Sequence, residues 1–90
     1  MQHAVVTVSG QVQGVGFRFT TRRLAQKFDV SGYVMNLPDG RVRMEAEGRE
    51  AELDAFFNAV KVSRLGGGIR RWEESRGPAR GLPPGFDIRY

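Results

Sequence analysis

Ninety residues form a single domain, 1–90, since two halves of roughly forty-five residues would each be too small to fold without staples. The absence of cysteine excludes disulfides, thiolate metal sites and a cysteine nucleophile. Fourteen Lys and Arg against ten Asp and Glu give +4, and twelve of the fourteen cations are Arg, the side chain suited to bidentate recognition of phosphate or carboxylate.

The first predicted element is a strand over His3–Ser9 (HAVVTVS), rich in Val and Thr, with Ala4, Val6 and Val8 on one face. Gly10–Gly16 (GQVQGVG) reads as a glycine-punctuated loop. From Phe17 the period changes. Phe17, Thr21, Leu24 and Phe28 fall at helical spacing, which predicts an amphipathic helix of about three turns. Gly32–Leu37 (GYVMNL) is the second strand, and Pro38-Asp39-Gly40 supplies a turn into the strictly alternating strand Arg41–Glu47. There Val42, Met44 and Ala46 face in, while Arg41, Arg43, Glu45 and Glu47 face out. Leu53, Phe56, Phe57 and Val60 mark a second helix. Gly66-Gly67-Gly68 reads as a flexible connector, Ile69–Ser75 as a fourth strand with Trp72 half-buried, Gly77–Gly85 as a long loop, and Phe86–Tyr90 as a short final strand. No leader or membrane-spanning stretch is evident, so a cytoplasmic protein with no membrane partner is expected.

This order predicts an α+β, ferredoxin-like βαββαβ sandwich. Two helices share one face of a mainly antiparallel sheet, with a short fifth strand at an edge. The strand–helix–strand crossover makes the first two strands parallel. If the third strand lies between them, their C-terminal ends are about 9–10 Å apart at one edge. The Gly10–Gly16 loop leaves the first strand there, and Asn36 sits near the end of the second. An Arg from the loop and the Asn36 amide could then converge on a small polyoxygen ligand.

Gln11-Val12-Gln13-Gly14-Val15-Gly16-Phe17-Arg18 is the most informative segment. The first N–H groups of a helix have no internal partner, and its dipole places partial positive charge there, which makes an anion site. Arg18 adds a fork of donors matched to phosphate. Position 19 is Phe, so the dinucleotide pattern is not met, and no G-x-x-x-x-G-K-[ST] occurs. On the glycines alone, a tight turn with an ordinary surface Arg remains open.

Gly10-x-Val12-Gln13-Gly14-Val15-Gly16-Phe17-Arg18, Gly32-Tyr33-Val34-x-Asn36-Leu37-x-Asp39-Gly40, Val42-x-Met44-x-Ala46-Glu47-Gly48 and Gly85-Phe86-x-Ile88 together resemble the acylphosphatase family. The resemblance runs through essentially the whole chain. It implies hydrolysis of small acyl phosphates to a carboxylate and inorganic phosphate. It implies a phosphate cradle from the backbone of Gln13, Gly14, Val15, Gly16, Phe17 and Arg18. Arg18 falls on the family's anion-binding side chain and Asn36 on its water-orienting amide. No cofactor and no metal are expected, and a monomer is. The sequence departs from the family at Gln11, where many relatives carry a basic residue, and at Ser63–Gly68 (SRLGGG), which lacks a proline-containing turn.

His3, the only histidine, starts a strand and is read as structural or surface. Glu73 and Glu74 are adjacent in a strand and point to opposite faces, so they cannot readily work as an acid/base pair. No cluster has metal-ligand spacing. An RNA-recognition module shares this element order and basic charge but needs exposed aromatics on its sheet, and the third strand has none. A catalytically idle anion-binding domain is the other alternative, against which Arg18 and Asn36 both stand.

Overall fold

The computed structural model describes residues 1–90. Its elements are β1 (Gln2–Gly10), α1 (Phe17–Ala25), β2 (Val30–Asn36), β3 (Val42–Gly48), α2 (Glu50–Val62), β4 (Ile69–Pro78) and β5 (Phe86–Arg89). The sheet order is β4-β1-β3-β2-β5. β1 pairs antiparallel with β3 and β4, β3 pairs antiparallel with β2, and β5 joins the edge parallel to β2. The ferredoxin-like arrangement is therefore present, with the short fifth strand at an edge.

Period-2 alternation builds the core. Ala4, Val6 and Val8 of β1 and Val42, Met44 and Ala46 of β3 are fully buried, and Val6 lies opposite Met44. They form one apolar cluster with Phe17 and Ala25 of α1 and Leu53, Phe56, Phe57 and Val60 of α2. Phe56 is its aromatic hub, with ring centroids 5.4 Å from Phe57 and 5.3 Å from Phe86. Trp72 is half-buried and meets Phe57 edge-on at 5.5 Å. No helix is long and apolar enough to cross a membrane.

Because β3 separates β1 from β2 and is antiparallel to both, β1 and β2 run in the same direction. Gly10 and Asn36, the last residues of those strands, consequently end at the same edge of the sheet.

Four sequence expectations need correction. α1 stops at Ala25, and Phe28 lies beyond it. Lys27 and Phe28 donate to the carbonyls three residues back, Leu24 and Ala25, so the helix tightens and ends; Phe28 still packs 6.1 Å from Phe56. Gly66–Gly68 is a 3-10 turn, not a loose connector, closed by Gly66 N–H to Ser63 and Gly68 N–H to Leu65. β4 continues through Pro78. Glu47 faces outward but is only 6% exposed, because the segment after β4 crosses the outer face and donates the Arg80, Gly81 and Leu82 N–H groups to its carboxylate at 2.6–3.0 Å.

His3 is buried on that outer face. Its Nδ1 lies 2.6 Å from Glu47 Oε2 and its Nε2 lies 2.7 Å from Glu45 Oε1. Tyr33, the aromatic on the outer face of β2, is also buried. It donates to Glu45 and is covered by the Arg89 guanidinium, 3.7 Å from its ring centroid. The outer face thus has no aromatic platform of the kind base stacking requires.

Candidate active site

The β1–α1 loop is shaped by its glycines. Gly14 and Gly16 both have φ of 75°, in the left-handed region that other residues rarely adopt. Gly16 caps α1, and its carbonyl accepts the first helical bond from Thr20 N–H at 3.0 Å. The N–H groups from Gln13 through Phe19 donate to no group of the protein.

Beside this loop lies a cavity of about 200 Å³ lined by Val12, Gly14, Gly16, Phe17, Arg18, Phe19, Asn36, Ile88 and Tyr90. Arg18 and Asn36, predicted from opposite sides of the crossover, line the same space. Arg18 pairs with no carboxylate. Its guanidinium carbon sits 4.9 Å from the Tyr90 ring centroid, which leaves the edge donors of the fork free while the aromatic face supports it. Asn36 Oδ1 is buried and has no hydrogen-bond partner, an uncommon condition for a polar atom.

Of the predicted cradle, Gly14, Gly16, Phe17 and Arg18 line the cavity, whereas Gln13 and Val15 do not. The Gln13 side chain instead crosses to the β2–β3 turn, where Nε2 donates to the Leu37 carbonyl at 2.8 Å and the Arg41 carbonyl at 2.9 Å. The turn is closed by Leu37 N–H to Arg41 and Gly40 N–H to Leu37. Asp39 accepts from the Arg41 N–H and guanidinium, which together outweigh desolvation and hold its carboxyl below the ordinary value. The Val15 carbonyl is taken by Arg64.

The apolar wall formed by Phe19, Ile88 and Tyr90 is not evident in the sequence. Phe19 sits in the first turn of α1 and is 57% exposed, and Ile88 arrives from β5 through its parallel pairing with β2 at Val34. Alternation in Phe86–Tyr90 was the only available signal, and it does not reveal which strand β5 joins.

Comparison with known proteins identifies the family. The acylphosphatase family model matches residues 4–88. An acylphosphatase of Archaeoglobus fulgidus is 59% identical over 56 residues, which span 62% of this chain and 63% of that protein's length. One of Pediococcus pentosaceus is 49% identical over 63 residues, or 70% of each chain. The crystal structure of acylphosphatase from Bacillus subtilis superposes with a TM-score of 0.82 at 35% identity and covers 100% of both chains. With a family model spanning nearly all its residues and a solved relative matching from end to end, this chain belongs to the acylphosphatase family.

Proposed function

We propose that the protein hydrolyses small acyl phosphates to a carboxylate and inorganic phosphate at the cavity between the β1–α1 loop and Asn36. The carrying observation is that one space collects three unsatisfied groups: the unpaired Arg18 guanidinium, undonated N–H groups at the start of α1, and the partnerless Asn36 Oδ1.

The phosphoryl group is held by the Gly14–Arg18 N–H groups and the Arg18 fork, which favour negative charge at a helix N-terminus. Asn36 Oδ1 accepts a hydrogen bond from the attacking water. The water oxygen forms the new bond to phosphorus as the bond to the acyl oxygen breaks. The carboxylate departs as a weak base and needs no general acid, and the water's proton passes to the phosphate product or to solvent. Phosphoryl transfer of this kind needs mainly positioning and charge stabilisation. No Asp or Glu side chain lines the cavity, so charge compensation falls to Arg18 and the backbone, which supports metal-independent turnover. Arg18, Asn36 and the N–H groups at the start of α1 all belong to one chain, so a monomer is the proposed active unit, and the outer sheet face offers no aromatic platform for a nucleic acid partner. The lack of cysteine is in keeping with a cytoplasmic protein.

The test is turnover of acetyl phosphate after exhaustive chelation. Sustained hydrolysis is expected. Loss of activity restored by Mg²⁺ or Zn²⁺ would overturn metal independence, and absence of turnover under every condition would overturn the enzymatic reading.

A further inference from the structure

The turn after α2 packs against the back of the phosphate loop. Gln11 N–H donates to the Gly68 carbonyl at 2.9 Å, and a Cβ on Gly68 would collide with the Gln11 carbonyl oxygen. From the same turn, Arg64 Nη1 donates to the Val15 carbonyl at 3.1 Å and Nη2 to Thr20 Oγ1 at 2.9 Å. The guanidinium rests against Gly16, where Nη2 would be 3.2 Å from an added Cβ.

We propose that Arg64 is a positioning residue that sets the orientation of the Val15–Gly16 peptide, and through it the phosphate-binding N–H groups; this rests on the reading of the cavity as a phosphate site. In a trans peptide the carbonyl of one residue and the N–H of the next point in opposite directions. The chain has no cis peptide. With the Val15 carbonyl drawn outward to Arg64, the Gly16 N–H points away from that guanidinium. Gly16 lines the cavity and Val15 does not.

A lock is needed here because glycine populates both signs of φ readily. Gly14 and Gly16 flank Val15, so the intervening peptides can rotate at little steric cost. If the Val15–Gly16 peptide flips, the cavity gains a carbonyl oxygen where a phosphate needs a donor. Arg64 holds one orientation with two donors fixed in a planar fork, one on the loop and one on α1. Lys has no such fork: its three donors radiate from one nitrogen and do not span the two acceptors in a fixed plane. The spacing of Arg64 from the loop in sequence hides this relation, and Gly68, whose added Cβ would meet the Gln11 carbonyl oxygen, is what lets the turn come close to the loop.

The measurements are inorganic phosphate affinity by titration calorimetry, kcat and KM on acetyl phosphate, and thermal midpoint. Arg64→Ala is expected to weaken phosphate binding about fivefold to tenfold and to lower kcat/KM at least tenfold, with a midpoint within about 3 °C of the parent. Arg64→Lys should recover only part of both. Thr20→Val, which removes one of the two acceptors, should shift both in the same direction by less, and Thr20→Val added to Arg64→Ala should have no further effect. Parent-like phosphate affinity and kcat/KM in Arg64→Ala overturns the proposal, as does full recovery in Arg64→Lys. If Arg64→Ala fails to fold, Arg64→Lys and Thr20→Val decide by the same criteria. A parent protein that neither binds phosphate nor turns over acetyl phosphate overturns the phosphate-site reading itself and this proposal with it, an outcome distinguishable because it precedes any substitution.

Discussion

Gln13 Nε2 donates to the Leu37 carbonyl at 2.8 Å, tying the loop that carries Gly14 and Gly16 to the residue that follows Asn36. One side chain thus couples the position of the glycine loop to that of the Asn36 amide. Gln13→Ala is expected to lower kcat/KM about tenfold. Its stability cost should be only about 1 kcal/mol, the usual net value of a hydrogen bond. The cost stays small because Leu37 and Arg41 carbonyls keep their bonds from Gly40 and Leu37 N–H inside the turn. Kinetics and a urea unfolding curve on the same variant check both values.

Arg18 should serve ground state and transition state alike. Arg18→Ala is expected to weaken inorganic phosphate binding and to reduce turnover to near background. Arg18→Lys should rescue little, because a point charge lacks the planar fork and stacks poorly on Tyr90. Phosphate titration and kcat on both variants make the comparison; near-normal values for Arg18→Lys would mean that charge alone suffices.

Asn36 should behave differently. An amide that orients water acts mainly in the transition state, so Asn36→Ala should lower kcat and kcat/KM together at nearly constant KM. A loss of about 3–4 kcal/mol, or roughly 10²–10³ in rate, is comparable to removing one oxyanion donor. Phosphate affinity should remain close to the parent's. A normal kcat with a sharply lowered thermal midpoint would instead make Asn36 a residue of the turn.

The outer-face cluster should govern stability, not rate. Burial by itself raises the Glu47 carboxyl, but donation from Arg80, Leu82, His3 and Gly81 outweighs it and brings the group down from 4.5 to about 2. A lowered folded-state value stabilises the fold above the ordinary carboxylate range. That contribution is fully present above pH about 4.5 and is lost as pH falls towards about 2. Thermal midpoints of the parent should therefore drop across this window, while Glu47→Gln should show a flatter profile. At pH 7, Glu47→Gln should lose about 2 kcal/mol, as expected for charge-assisted bonds, or roughly 10 °C in midpoint. kcat should be unchanged. His3→Gln should likewise lower the midpoint and leave kcat and its pH profile intact, since His3 is not part of the cavity wall.

What the sequence shows depends on how local its cause is. Strict alternation in β3 reports which of the residues from Val42 to Ala46 face the core, and the crossover rule brings Gly10 and Asn36 to one edge without any contact being known. Other features arise between distant segments. Phe28 continues the helical spacing of α1, yet the chain takes tighter bonds there, and Asp29 N–H is held by Glu52 Oε1 from α2 at 2.7 Å. Glu47 belongs to an alternating strand, and only the N–H groups of residues 80–82 decide that it is covered. Arg64 looks like any exposed cation until the turn it sits on is seen against the loop. No period in the sequence records these relations.

The interior position of β1, between β4 and β3, bears on how the molecule assembles. Its two neighbours are β3 and β4, with Gln2 opposite both Gly48 and Pro78 and Val8 opposite Trp72. Pairings across such long stretches pay loop-closure entropy before they return contact energy, which slows folding. The loop beside α1 is finished only when Gly68 and Arg64 come up behind it, and β5 must dock before Ile88 and Tyr90 complete the cavity. A chain emerging from the ribosome therefore has its glycine loop synthesised early but no complete cavity until β5 is released. In a refolding experiment, recovery of turnover should accompany the slowest structural phase and not the formation of the helices.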